Sequence, residues 1–278
     1  MAVVEEPGKP RNWRERIGVM QDRVYDALFH NYVWQSIFRS GYPNTPRNQM
    51  LVVATNVFLH LHPTRIHKTH VKITHTYCLG GLTFFMFLIL TVTGVLLMFY
   101  YRPTVEYAFV DILDLREQVP FGIMREVHRW GAHAMVISVW IHMFRVFMTG
   151  SYKPPREFNW VIGVILLVLT LLLSFTGYLL PWDQLAIWAI TVGSNMASAT
   201  PLLGIQGPGT GLLKIGDIQL VTSTNDARFG LLGGRFVGAG ALLRFYVLHC
   251  VGIPLIAAFL MAVHFWRVRK DGGISGPV

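Results

Sequence analysis

The chain has 278 residues, 53% of them hydrophobic and only 14% charged, with a formal net charge of +9. A soluble domain carries about 25% charged residues, so the composition argues against an ordinary water-soluble globule. The basic excess flanks apolar runs instead of forming a domain of its own, which excludes a nucleic-acid-binding surface and points to membrane topology and lipid contact.

Residues 1–26 are polar, charged and compatible with a helix, with no apolar h-region of a signal peptide, so the N-terminus is expected to stay on the cytoplasmic side. Residues 27–76 are amphipathic, hold His60, His62, His67, His70 and His75 and contain no acidic residue; they read as a segment on the membrane surface. Four apolar runs follow, at about 77–101, 128–149, 159–180 and 245–266, each long enough to cross the hydrocarbon core, which takes roughly 20 helical residues. Between the first two lies an acidic-leaning loop, 102–127, with Glu106, Asp111, Asp114 and Glu117. The short, proline-rich SYKPPREF makes the second and third spans antiparallel neighbours. Residues 181–243 form a long Gly- and Pro-rich connection without a clean fifth span, and a connector of that length carries function or meets a partner. Four spans place the N-terminus, the loop after the second span and the C-terminus on one side. That side holds sixteen Lys/Arg against eight on the other, in keeping with the positive-inside rule. The expected fold is an all-α membrane protein: an N-terminal amphipathic surface extension, 1–76, and a four-transmembrane-helix bundle, 77–278. Cys78 and Cys250 fall near opposite membrane faces, too far apart to pair with each other.

Ionisable residues at membrane depth are costly and mark sites. His128 and His142 in the second span are 14 apart; His249 and His264 in the fourth are 15 apart. At about 1.5 Å per residue these spacings cover roughly 21 and 22 Å, and each pair returns to nearly one helix face. Two facing helices so equipped bring imidazoles together twice, the arrangement of bis-His ligation of two b haems between spans two and four. One such histidine would read as a helix–helix hydrogen bond or an interfacial anchor; two matched pairs do not. His133 is rotated off that face and reads as a packing residue. Gly80 and Gly94, and likewise Gly163 and Gly177, repeat the 14-residue spacing on the first and third spans. They either allow close helix packing or clear room for two flat macrocycles. Arg125, Arg129, Arg145 and Arg269 are placed to pair haem propionates or to snorkel to the interface. Rival readings are a dihaem cytochrome b anchor of a dehydrogenase or hydrogenase, and a transporter with proton-relaying histidines.

The segments YCLGG (77–81), FYYRPTVEYAF (99–109), VHRWGAH (127–133), IHMFRVFMTGSYKPPREFNWVIGV (141–164), TGYLLPWDQ (176–184), RFYVLH (244–249) and RKDGGISGPV (269–278) together resemble the cytochrome b6 family. These proteins are the four-helix N-terminal half of split cytochromes b in Rieske/cytochrome b complexes. The resemblance covers roughly 75–184 and 242–278. It implies an electron-transfer subunit of a quinol:cytochrome c or plastocyanin oxidoreductase, inactive alone. His128 and His249 would ligate the outer b haem, and His142 and His264 the inner one. Cys78 in YCLGG would hold a haem c through a single thioether, while Cys250 reads as an inert core residue. Pro181, Trp182, Asp183 and Gln184 resemble a wall of the outer quinol pocket. Arg269 and Lys270, with the Cys78 haem, resemble the inner quinone site. The implied partners are a Rieske iron–sulfur protein, a separate subunit carrying the C-terminal half of cytochrome b, a c-type cytochrome, lipid and quinone, in a homodimeric complex with no nucleic acid. Some 40 extra N-terminal residues and an enlarged 204–240 stretch depart from the family, suggesting a respiratory complex of a bacterial cytoplasmic membrane. With no Asp or Glu between Asp26 and Glu106, the five histidines of 60–75 read either as interfacial, lipid-facing or structural residues or as proton donors on the inner side.

Overall fold

A computed structural model describes residues 13–29, 31–32, 36, 44–56, 59–61, 68, 72–118 and 121–271. The chain divides into two compact units, 1–64 and 65–278.

In the first unit, α1 (Trp13–Phe29) exposes Trp13, Ile17, Met20, Val24 and Leu28, a row at helical spacing that makes one side of the helix apolar. Helix α2 (Pro46–Thr55) starts where local chemistry dictates. Thr45 accepts a hydrogen bond from the Asn48 amide at 3.2 Å and Pro46 occupies the first turn, where its missing N–H costs nothing. Beyond it, His60 Nδ1 lies 2.9 Å from the Ala54 carbonyl. His62, His67, His70 and the side chain of His75 lie outside the described residues.

The second unit contains α3 (Leu79–Met98), α4 (Ala108–Glu117), α5 (Phe121–Met148), α6 (Glu157–Leu179), α7 (Gln184–Ser198), α8 (Ala227–Leu232), α9 (Ala239–Val247) and α10 (Ile253–Lys270). Helices α9 and α10 are joined by a π-helical turn, Leu248–Gly252, into one rod from Ala239 to Lys270. Helices α3, α5 and α6 and this rod are each long and apolar enough to cross a membrane. Their outward faces are apolar and exposed, as along Leu82, Phe85, Leu88, Val92 and Val95 of α3, which suits hydrocarbon and not water. The second and fourth spans begin earlier than their apolar runs. Helix propagation through Arg125 and Arg129, and through Arg244, costs little once the apolar part is helical.

Two differences from the sequence expectation concern the connections. The 102–127 stretch is not a loop: α4 forms there because Ala108, Asp111 and Leu115 share one buried face, with an aspartate where an apolar residue would announce the helix. Its charge is met by Arg102, which donates from its amide at 2.8 Å and from Nε and a terminal nitrogen at 3.1 and 2.6 Å. The 181–243 connection is also ordered. It holds α7, a two-stranded hairpin, β1 (Lys214–Ile215) and β2 (Ile218–Gln219), in the register Lys214↔Gln219, and α8. Asp183 caps α7 and Asp226 caps α8 through amides at 2.8 and 2.9 Å.

Helix α3 packs along α5, and α6 along the fourth span. At the Arg102 end, Tyr101, Ala108, Leu179, Trp182, Ala186, Ile190, Leu232, Leu242 and Phe245 close a core that ties α4, α7, α8 and α9 over the spans. Tyr101 donates to the Leu180 carbonyl at 2.6 Å and stacks on Tyr246. The Arg102 hydrogen bonds hold the Asp111 carboxyl below its ordinary value of 3.8. A lowered pKa contributes stability above that value that is lost as the pH falls through the folded one. Asp111→Asn is therefore expected to increase proteolysis of the 102–118 segment at neutral pH, to the level the unaltered chain reaches only below pH of about 4. Equal cleavage of both proteins at pH 7 contradicts this.

Candidate haem-binding site

The backbones of the second and fourth spans make at most slight contact, and the histidines reach across the gap between them. The His128 and His249 rings stand 6.2 Å apart between centroids. His142 and His264 are near enough to interact electrostatically at the other level. Each ring also meets a glycine on a neighbouring span. A Cβ built on Gly94 would lie 3.1 Å from His128 Cε1, on Gly177 2.6 Å from His249 Cε1, on Gly80 3.2 Å from His142 Cε1 and on Gly163 3.8 Å from His264 Cε1. The four glycines expected from their spacing thus pair one to one with the four histidines, and the room they make is beside the histidine rings.

The rings are also oriented. Thr93 Oγ1 lies 2.8 Å from His128 Nδ1, and Thr176 Oγ1 3.2 Å from His249 Nδ1. With Nδ1 occupied, Nε2 of each ring is left for a ligand. At the other level His264 Nδ1 is buried without a well-formed hydrogen bond, the Asn159 backbone being its polar neighbour. Four imidazoles at two levels, a gap between their helices and glycine clearance behind each ring fit two bis-His haems.

The unequal spacings of 14 and 15 are reconciled by the π-helical turn. Fourteen residues at about 100° each fall about 40° short of four full turns, whereas fifteen overshoot by about 60°. In the fourth span the Ile253 amide reaches back to the Leu248 carbonyl, five residues away, and absorbs one residue. Pro254, lacking an N–H, cannot close the α-type bond to Cys250 and favours the widened turn. His249 sits within it.

The arginines have partners that the sequence reading did not assign. Arg125 and Arg129 both bond Glu126, at 3.0 Å each. At the Cys78 end, with Arg145 and Arg269, Arg267 pairs with Asp271 at 2.7 Å and Arg156 donates to the Asp271 carbonyl at 3.2 Å. The Asp271 side chain is 4% exposed and its Oδ2 has no partner among the described residues, so a carboxylate does stand at the end where only histidines were considered. Lys270 lies over the Trp266 ring. Cys78 is exposed, in the left-handed region at φ 51° just before α3, while Cys250 is half-buried in the π-helical turn. His133 Nδ1 meets the Arg129 carbonyl, and its ring lies against Trp130. Of the outer-pocket segment, Trp182 is buried in the core and Asp183 is a helix cap, while Pro181 is half-buried and Gln184 exposed. Thr93 and Thr176 were missed, although each directly precedes a flagged glycine, as a repeated Thr-Gly.

Alanine at these glycines should act in the order of the clearances. Gly177→Ala is expected to lower occupancy at the His128/His249 level on the order of tenfold, Gly94→Ala and Gly80→Ala less, and Gly163→Ala hardly at all, read by redox difference spectra. A ranking unrelated to the clearances refutes the pairing. Deleting Val251 should turn the π-helical turn into regular helix and keep both levels occupied. Deleting Leu255 instead should misplace His264, and equal damage from both deletions counts against the register argument.

Residues 65–207 match the family model described as Cytochrome b/b6/petB. The chain is 43% identical over 203 residues to cytochrome b6 of Porphyra purpurea, covering 73% of this chain and 85% of that protein. It is 44% identical over 204 residues, with the same coverages, to cytochrome b6 of Synechococcus sp. (strain JA-3-3Ab). A chain of a hyperthermophilic respiratory Complex III superposes with a TM-score of 0.66 at 27% identity, over 91% of this chain and 56% of that one, so this chain spans little more than half its length. These matches set aside the dehydrogenase-anchor and transporter readings. The chain belongs to the cytochrome b/b6 family, the b-haem-carrying membrane subunits of quinol oxidoreductases.

Proposed function

We propose that the chain carries one b haem on His128 and His249 and a second on His142 and His264, and links an outer quinol site to an inner quinone site across the membrane. The observation that carries this reading is the one-to-one pairing of four glycines with four histidines at two levels of one gap. The haems, when bound, supply reversible one-electron chemistry at two depths. The protein's part is to fix the rings. Thr93 and Thr176 hold Nδ1 of the Arg102-end pair, the glycines let the rings sit close to neighbouring backbones, and hydrocarbon-facing side chains keep water out. Arg125 and Arg129 at one end, and Arg145, Arg269 and Lys270 at the other, are the cations proposed to meet propionates or quinone. At the first end a propionate would share them with Glu126.

Cys78 is the proposed attachment point of a haem c. Cys78 is exposed, at the N-cap of α3, at the end of the bundle that holds His142 and His264, and two residues before the glycine that faces His142. Pro181, Trp182, Asp183 and Gln184 are proposed to bound the outer quinol site as a rigid corner, Trp182 anchoring it in the core and Asp183 fixing the start of α7. The remaining half of cytochrome b, a Rieske iron–sulfur protein and a c-type cytochrome are the proposed partners, in a dimeric complex. The proposed setting is a bacterial cytoplasmic membrane, although the relatives above include a red alga and a cyanobacterium.

The purified complex should show two b-type components, and His142→Leu should remove one of them and leave the other. A denaturing gel stained for haem peroxidase should show a band at the chain's 31.5 kDa that disappears in Cys78→Ala. Loss of both b components together in His142→Leu would break the pairing. A wild-type chain with no retained haem would remove the haem c.

A further inference from the structure

We propose that Thr93 and Thr176 are positioning residues that lock His128 and His249 with the proton on Nδ1 and the lone pair on Nε2, and so make the ligand pair at the Arg102 end more electron-donating than the pair at the Cys78 end. The inference rests on the ligand assignment above.

A threonine hydroxyl has one proton to give. Thr93 Oγ1 lies 2.7 Å from the Ile89 carbonyl, and Thr176 Oγ1 2.8 Å from the Leu172 carbonyl. Each is the back-bond a helical threonine makes one turn down. With that proton committed, the oxygen facing the histidine can only accept, so Nδ1 must be the donor. The tautomer left is the one whose Nε2 can bind iron.

The lock is confined to one level. Among the described residues His264 Nδ1 is buried with no hydrogen-bond partner, so that level lacks a threonine bond of this kind. The residues preceding the glycines there are Leu79 and Ile162, which have no polar side-chain atom. A ligating imidazole whose other N–H is held by an acceptor is oriented and made more basic. More basic ligands favour the ferric state, so the Arg102-end haem should have its potential lowered by the threonines.

The test is potentiometric titration of the b components in membranes carrying the whole complex, with Thr93 and Thr176 replaced singly and together by Val or Ser. Valine keeps the shape and removes the acceptor. Each Val variant is expected to shift the ferric/ferrous ratio of the Arg102-end haem three- to tenfold toward ferrous at fixed potential. Tenfold corresponds to about 59 mV for a one-electron couple. The double variant should shift it further, Ser should restore it, and the other b haem should not move. Loss of the Arg102-end haem in Val but not Ser variants supports the lock in its stronger form. An unchanged potential in fully loaded Val variants, an equal shift of both haems, or loss of the haem in Ser variants too would overturn it. His249→Leu separates the premise: if both b components survive it, the ligand assignment fails, whatever the threonines do.

Discussion

Four imidazoles held inside a hydrocarbon slab are the constraint on which the bundle is built. Leaving one buried polar group unmatched costs about 1–3 kcal/mol, and water is excluded as a remedy over most of the span. Spans two and four therefore cannot collapse onto each other: their facing sides carry polar rings that need partners, and their backbones stay apart. Close packing is displaced to the flanks, α3 on α5 and α6 on the fourth span. The outer pair of helices becomes the mould of the site, since α3 and α6 supply every glycine that meets a ring and both threonines that orient one.

Register follows from the same constraint. Histidines on two helices that face each other at both levels need angular and axial separations that agree even where the residue counts do not. Adjusting the count inside an α-helix requires a turn that breaks the α hydrogen-bond pattern, and π-helical turns occur where function requires them. Here the extra residue sits at His249 itself, next to a proline that already forfeits an α-type bond. The two irregularities thus share one turn and disturb the ladder once.

What the sequence made legible was whatever repeats with a period or stands out by type. Apolar runs marked the spans, and histidines and glycines at matched spacing marked the site. The resemblance motifs supplied an expected side of the membrane for each pair. What stayed hidden was polar chemistry serving structure. Helix α4 was read as a loop because its buried face contains Asp111, whose match to Arg102 nine residues away is visible only in three dimensions. Thr93 and Thr176 look like ordinary β-branched residues in an apolar helix, and only the second use of their oxygen sets them apart. Asp271 and Glu126 were overlooked because one was counted with a basic tail and the other with an acidic loop, although each neutralises arginines beside the site.

The connection between the third and fourth spans takes part in the same economy of constraints. Helix α7 buries Ala186, Ile190, Ser194 and Ser198 along one side while exposing Leu185, Trp188, Val192 and Met196 along the other. A helix apolar on its outer face and packed on its inner one is stable at a membrane boundary or under another subunit, and poorly so in water. Its start is fixed by Asp183, immediately after Trp182 enters the core formed with Tyr101, Leu232 and Phe245. That core fastens the C-terminal end of the third span to the start of the fourth, a few residues from Thr176 and His249. Rigidity there has a purpose beyond the corner itself. A hydrogen bond of 3.2 Å between Thr176 and His249 joins two different spans, and it persists only if those spans are clamped close to it.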